Sequence, residues 1–402
     1  MADEKPTLLV AKGVISRLGG AERDLLRRLP HLTNWFSVSV ATLSSCEELE
    51  HLCEQHDINI YKPRNPWFPP NSAISQIFDS VHRTSKQAWK NCGSLISDIA
   101  SFDYFHIVSG DGYLAMLELV PSGKPAHLYL LEPHRGLHED SLHRNLNGDL
   151  RRPKLLTNIL LSRARKNDLT IVKRFGRRTN TIISGNSSYT AHRIKEVYDI
   201  DCDYLHPCVD ANEYTSSTNN VTNPYPNSSV MQYVVTIGTA NWAKGSMEVI
   251  SMLSGTNLSL AHVGGGRPDE LKALQDHADK HDVGLWVAPK LSSDQLSLLI
   301  KQSLAVVSMA HKEPFGLTPI EAFSIGTPAI FVNDGGFIDS IVDGESGRLI
   351  SRSSTMEWHR ALDQAKSEKI RDKWANNGRQ RIAELRLSPY EQAEKLHQIL
   401  IL

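Results

Sequence analysis

The stretch from His311 to Gly336 reads H-K-E-P-F-G-L-T-P-I-E-A-F-S-I-G-T-P-A-I-F-V-N-D-G-G. It places Glu313 in a loop punctuated by proline and glycine, and Glu321 in the first turn of the helix that follows. Thr318 and Pro319 supply the start signals: a hydroxyl as N-cap, then proline at the first helical position. A helix begun there turns its unpaired amides and positive dipole end toward the loop, which suits a phosphate or pyrophosphate. One carboxylate stands before that anion site and a second beside it, an arrangement able to hold a sugar nucleotide. The same T-P-I-E also fits a capping box, in which Glu321 merely bonds back to its own helix start. From these four residues alone both readings stand.

On either side of this stretch, short apolar runs alternate with helical patterns, the signature of an α/β doubly wound architecture. Before it come the candidate strands Tyr233–Gly238, Leu258–Val263, Gly284–Val287 and Ala305–Ser308, with helices expected over Asp269–His281 and Asp294–Gln302. Within it lies Ala329–Val332, and beyond Ser351 the chain reads as helical to its end. An earlier alternating series runs through Thr7–Ala11, Ser37–Ala41, Tyr104–Ser109, His127–Leu131 and Thr181–Ser184, with a helix over Ala21–Leu29. Residues 211–230 are rich in Asn, Ser, Thr and Pro and lack periodicity, as a linker would. The organisation expected is therefore a first domain over 1–210, a linker over 211–230 and a second domain over 231–385. A last helix over 386–402 is expected to return to the first domain.

Composition sets the outer bounds. A chain of 402 residues suffices for two or three domains with ample core. A formal net charge of −1 gives no global attraction to nucleic acid, and 40% hydrophobic residues is ordinary for a globular protein. The longest apolar runs, such as Tyr113–Leu117, fall far short of a membrane span. The polar, acidic opening M-A-D-E-K-P is unlike a signal peptide. The five cysteines (Cys46, Cys53, Cys92, Cys202, Cys208) are odd in number and lack C-x-x-C spacing, as expected of reduced thiols in a cytoplasmic protein.

Taken whole, His311–Gly336 resembles the E-x7-E signature of the retaining glycosyltransferases of family 4. The match takes in both glutamates, the F-G-L between them, the E-A-x-x-x-G-x-P that follows and the closing G-G. The resemblance implies a GT-B fold, two Rossmann-like doubly wound domains facing a central cleft. It also implies a retaining, metal-independent hexosyltransferase using a nucleoside-diphosphate sugar, with mannose as the first guess for the sugar. In that register Glu321 would bond the ribose hydroxyls and Glu313 the hydroxyls of the donor sugar. The backbone of Phe315, Gly316 and Leu317 would face the diphosphate.

Other segments fall into the same register. Gly238-Thr-Ala-Asn-Trp-Ala-Lys244-Gly245 looks like the family's G-R-L-x-x-x-K-G, with Gly238 at the turn and Lys244 as the cation that neutralises the leaving diphosphate. Thr239 stands where the family has arginine, so one positive charge is missing. Gly264-Gly-Gly-Arg267 resembles the G-x-G segment and is equally a tight turn; Arg267 is a candidate for the missing cation. Gly19-Gly20-Ala-Glu-Arg23 resembles the glycine loop of the first domain, where bare backbone lets donor or acceptor approach. Leu131-Glu-Pro-His-Arg135 looks like H-x-P-x-R. Leu131 replaces the histidine, His134 is either a catalytic substitute or a solvated loop residue, and Arg135 keeps its place on the acceptor side.

Two further features have plainer alternatives. Asp201-Cys-Asp203 has the D-x-D spacing of the metal site in the other glycosyltransferase fold, but its surroundings read as turn aspartates. No metal ligands and no cofactor are expected, with Lys244 and the helix end offsetting the phosphate charge. The stretch Arg151–Arg178 is strongly basic, and Asp168 is its only acid. With Leu155, Leu156, Ile159 and Leu160 as an apolar face, it reads either as a surface for anionic membrane or a lipid phosphate, or as a solvated helix. The partners expected are thus a nucleotide-sugar donor, a glycan or lipid-linked acceptor and an anionic membrane face, with no nucleic acid. A non-catalytic sugar-nucleotide-binding protein, or another GT-B enzyme such as an epimerase, is the alternative.

Overall fold

The computed structural model describes residues 5–16, 18–70, 79–210, 213, 221–226 and 232–402. The expected linker over 211–230 lies outside the described residues apart from 213 and 221–226. The chain divides into two compact units. Unit 1 comprises Met1–Glu139, Arg152–Val209 and Ser388–Leu402; unit 2 comprises Asp140–Arg151 and Asp210–Leu387.

Unit 1 is built on a seven-stranded sheet. Its strands are β1 (Thr7–Ala11), β2 (Ser37–Ala41), β3 (Asn59–Tyr61), β4 (Tyr104–Val108), β5 (Ala126–Tyr129), β6 (Thr181–Gly185) and β7 (Asp203–Tyr204). They lie in the order β3-β2-β1-β4-β5-β6-β7, and every pairing is parallel. Parallel strands covered on both faces have no polar side to show, which is why Leu8, Leu9 and Val10 are all fully buried. One face packs around Trp89, Phe105, Met116, Val172 and Phe175. The other packs around Leu25, Leu29, Phe36 and Leu49, together with Ala393, Leu396 and Leu400 of the terminal helix. That helix, Pro389–Ile401, starts on Ser388, whose hydroxyl accepts from the Glu391 amide, and carries proline in its first turn. It lies against the helix Gly20–Leu32, and the His397 ring stacks on Trp35 at 5.0 Å.

Unit 2 holds a six-stranded sheet. Its strands are β8 (Tyr233–Ile237), β9 (Ser259–Val263), β10 (Leu285–Val287), β11 (Val306–Ser308), β12 (Ala329–Val332) and β13 (Gly347–Ile350). The order β10-β9-β8-β11-β12-β13 is again wholly parallel. Both sheets reverse direction of winding at their first strand, between β1 and β4 and between β8 and β11. In doubly wound sheets ligands bind beyond the carboxyl ends of the strands at such a point. The chain thus has the α/β fold expected, two Rossmann-like parallel-sheet units.

The segment Asp140–Arg151, which sequence reading assigned to the first domain, packs with unit 2 instead. It is a small hairpin closed by the Arg144–Leu150 bridge and by the turn bond from the Gly148 amide to the Asn145 carbonyl. Among the described residues no helix is long and apolar enough to cross a membrane.

Candidate functional site

At the switch point of unit 2, two loops meet. The first leaves β8 at Gly238 and runs to a single 3-10 turn, Trp242–Lys244. Asn241 caps that turn, its side-chain oxygen accepting from the Lys244 amide at 3.1 Å. The second leaves β11 and carries His311 and Glu313. Three contacts join them: the His311 amide donates to the Ala243 carbonyl at 2.8 Å, the His311 ring stacks on Trp242 at 3.8 Å, and Lys244 Nζ pairs with Glu313 Oε2 at 2.8 Å. His311 is in turn held by Glu248, Nε2 to Oε1 at 2.7 Å. The two residues expected to do most of the chemistry therefore stand together, their side chains 33% and 19% exposed.

The Glu313 loop is fixed largely by main chain. The Gly336 amide donates to the Glu313 carbonyl at 2.7 Å. A Cβ on Gly335 would sit 2.4 Å from that same carbonyl oxygen, and one on Gly336 would sit 2.3 Å from the Pro314 oxygen. This is the physical reason for the closing G-G: only bare backbone fits against the acid's own backbone. Gly316 has φ +82, and a Cβ there would meet the Phe337 ring at 2.3 Å, so both conformation and space require glycine. Arg352 reinforces the floor by donating to the Met309 and Ala310 carbonyls and pairing with Asp334 at 3.1 Å.

The helix after this loop, Thr318–Ile325, starts one residue earlier than expected. Leu317 is the N-cap, in αR conformation and with no side-chain cap bond, so Thr318 is the first helical residue rather than the cap. The T-P-I-E capping box is therefore not the one that starts this helix. Glu321 sits half-buried in the first turn, its amide bonded to the Leu317 carbonyl at 3.0 Å. Phe315, expected to line the donor site, is only 2% exposed and packs inward, which leaves its main chain as the part able to face a ligand. Thr239 is exposed, in the loop tied to the G-x-G turn by the bond from the Ala240 amide to the Gly265 carbonyl. Arg267, the candidate for the missing cation, stands at the N-cap of the helix Pro268–Lys280 and pairs with Glu270 at 2.8 Å.

In unit 1 the corresponding switch point holds Gly19 and Gly20. Gly19 is the N-cap of the helix Gly20–Leu32, and its amide donates to Glu22 at 3.0 Å. The other oxygen of Glu22 pairs with Lys12 Nζ at 3.2 Å, and Lys12, 4% exposed, also donates to the Ser109 carbonyl at 3.2 Å. Lys12 escaped sequence reading. Its signal is a cation placed directly after a fully buried strand, T-L-L-V-A-K-G.

His134 and Arg135 lie at the start of the short helix Arg135–His138. His134 is exposed, whereas Arg135 is engaged with Glu132 at 2.9 Å. That helix is anchored from below by Asp168, fully buried, which accepts from Tyr113 at 3.0 Å and from Tyr198 and His138 at 2.7 Å each. Burial, and then the Asp168 charge, pushes both tyrosine phenols well above their ordinary range. The lone acid of the basic stretch is thus an interior anchor. In that same helix, Lys154–Gly176, the apolar positions near the start are outward: Leu155 is 74% and Ile159 64% exposed, while Leu161, Ile171, Val172 and Phe175 face the core. Asp201 of the D-x-D triplet pairs with Lys195 at 2.9 Å, and Asp203 opens edge strand β7. Among the described residues no group of three or more His, Cys, Asp or Glu side chains is placed to hold a metal.

Comparison with known proteins agrees with this picture. Residues 225–381, within unit 2, match the family described as glycosyl transferases group 1. The D-inositol 3-phosphate glycosyltransferase of Rhodococcus opacus is 32% identical over 136 residues, covering 32% of this chain and 30% of that protein. The glycogen synthase of Mycobacterium tuberculosis is 31% identical over 120 residues, covering 28% of each. The chain thus spans about three-tenths of the length of the curated relatives it matches. Over whole chains the likeness is one of fold. Anabaena Alr3699/HepE in complex with UDP superposes with a TM-score of 0.68 at 16% identity, covering 98% of this chain and 99% of that one. Sucrose-phosphate synthase from Thermosynechococcus elongatus gives a TM-score of 0.72 at 13% identity, covering 98% of each. The fold is the GT-B architecture of these neighbours.

Proposed function

We infer that the protein is a retaining glycosyltransferase, moving a hexose from a nucleoside-diphosphate sugar to a hydroxyl of a glycan or lipid-linked acceptor. The observation that carries this reading is the meeting of Lys244 and Glu313 at 2.8 Å beside the Gly316-Leu317 start of a helix, within the stretch that matches group 1. A diphosphate placed there would meet an ammonium and the amide end of a helix. Both stabilise the charge that grows as the sugar–phosphate bond breaks, an electrostatic form of catalysis. Glu321 bonds the ribose hydroxyls, and Glu313 the donor sugar's hydroxyls close to the reacting carbon. The acceptor oxygen bonds to that carbon on the face the phosphate leaves, and the departing phosphate takes the acceptor proton. No protein base is needed, which accommodates Leu131 in place of histidine. Gly19 and Arg135 serve the acceptor side, Gly20, Gly238 and Thr239 serve donor binding, and His134 is the catalytic substitute for the family's histidine. Lys244 and the helix end offset the phosphate charge, so the reaction proceeds without an obligatory metal.

The UDP held by a structural neighbour makes UDP-glucose the first donor to test, with GDP-mannose second. The assay is release of free diphosphate in the presence of acceptor, with and without EDTA, alongside nucleotide-induced stabilisation of wild type and Glu321→Ala. Wild type unmoved by any nucleotide, or Glu321→Ala responding equally, refutes the site. Exposed Thr239, with no cation in its place, favours a second reading as a binding protein without turnover; it predicts stabilisation by nucleotide sugar and no diphosphate release. The outward Leu155, Leu156 and Ile159, set among Arg152, Lys154 and Arg163, further support contact with an anionic membrane.

A further inference from the structure

The hairpin Asp140–Arg151 packs against the Lys244 turn, with Arg144 and Gly148 both on the Trp242 ring. The Arg144 guanidinium lies over the Trp242 ring, 4.9 Å from its centroid, while the His311 ring stacks on the same indole at 3.8 Å. Arg144 is itself held, pairing with Asp140 at 2.6 Å and donating to the Gly148 carbonyl at 2.5 Å. Arg151 steadies its main chain, Nε to the Arg144 carbonyl at 2.9 Å. Gly148 closes the fit, since a Cβ there would lie 2.9 Å from the indole Nε1. Trp242 opens the single turn that ends at Lys244, and the Gly245 amide bonds back to the Trp242 carbonyl at 3.0 Å. Two residues apart in one turn, the indole and the lysine cannot move independently.

We propose that Arg144 is a positioning residue: by holding the Trp242 indole it sets the Lys244 ammonium where a donor diphosphate would bind. The proposal rests on the site described under Proposed function, in that Lys244 is taken there as the diphosphate's cation. Arginine suits this task better than lysine because its planar fork can bond Asp140 and Gly148 while its face lies on the ring.

The test uses the full chain carrying Arg144→Ala or Arg144→Lys, each first checked for an unchanged near-UV spectrum. Two measurements are made. The first is hydrogen exchange at the Lys244 and Gly245 amides without ligand. The second is calorimetric affinity for UDP, GDP and ADP, each beside its monophosphate. Loss of a partly buried cation–π contact predicts about tenfold faster exchange in Arg144→Ala and about tenfold weaker diphosphate binding. Monophosphate affinity should hold steady, because Lys244 serves the second phosphate. Arg144→Lys should fall between, keeping the charge but losing the fork. Unchanged exchange overturns the proposal, as does an equal loss for mono- and diphosphates. If wild type binds none of these nucleotides, the reading of the donor site fails. The exchange measurement then decides by itself whether Arg144 holds the turn.

Discussion

Beneath the first unit's sheet, His106 and His127 occupy facing positions on β4 and β5 and are wholly buried. Their Nδ1 atoms are 3.0 Å apart, and His127 Nε2 meets the Ser184 hydroxyl at 2.6 Å. Burial pushes His127 down to about 3 and His106 well below its ordinary value, with the nearby Arg28 charge acting in the same direction on both. Each ring is therefore neutral in the folded protein throughout mildly acidic conditions. In the unfolded chain each takes a proton below a pH of about 6.5. Below that point the unfolded state binds more protons than the folded one, and stability falls as pH falls.

Between pH 7.5 and 5.5 the two rings together should remove about 2.7 kcal/mol from unit 1, at about 1.4 kcal/mol per pH unit for each ring once below 6.5. Carboxylates whose folded values are depressed, such as Asp103 and Asp140, titrate below this window and contribute little to it. The perturbation is His127→Gln, which removes one titrating ring and keeps an amide for Ser184. Opening free energies come from hydrogen exchange of peptides covering Tyr104–Val108 and Ala126–Tyr129, measured at both pH values and corrected for intrinsic rates. Wild type should lose about 1.3 kcal/mol more than the variant on acidification, whatever the variant's stability at pH 7.5. Equal losses in the two proteins would mean that the rings are charged in the fold, and the argument from burial would be wrong.

Four other outcomes are expected. Lys244→Ala should weaken nucleoside-diphosphate binding about tenfold or more, as loss of a charge-assisted contact does, read by calorimetry. Gly336→Ala should destabilise unit 2 by about 1–3 kcal/mol through the Pro314 overlap, lower its melting temperature and abolish diphosphate release. Ser388→Ala, removing the cap of the terminal helix, should cost unit 1 about 1 kcal/mol in the exchange measurement above. Leu155→Asp combined with Ile159→Asp should leave thermal stability unchanged but end cosedimentation with vesicles containing phosphatidylserine.

The strands legible in the sequence are those buried on both faces. Thr7–Ala11 and Ala329–Val332 are unbroken apolar or β-branched runs and match the observed bounds, as does Ser37–Ala41, whose valines alternate with serines. Strands β3 and β13 carry less signal, because they are short and only partly buried and their alternation is blurred, whereas β10, expected from Gly284, begins at Leu285. β7, Asp203–Tyr204, is a two-residue strand on the exposed edge and offers no run to read. In the site, Glu313 and Lys244 were legible because a loop motif keeps its order along the chain. The inward turn of Phe315 was not, since an aromatic in a glycine-rich loop reads alike whether it packs or binds. The Asp140–Arg151 hairpin was invisible as a docking element. N-L-N-G-D marks a turn, but nothing local says that Arg144 finds an indole far along the chain. In the basic helix Leu155 and Ile159 keep the helical spacing read from the sequence and are exposed, as either reading of that stretch allows.

The main chain at 313 is seated against the bare backbone of Gly335 and Gly336, while the carboxylate is held by the Lys244 side chain. On the proposed function, choice among sugar nucleotides falls to side chains off this backbone frame, and outward-facing Thr239 is one such place. A panel of replacements there should shift preference among donors while leaving the seat of the acid untouched.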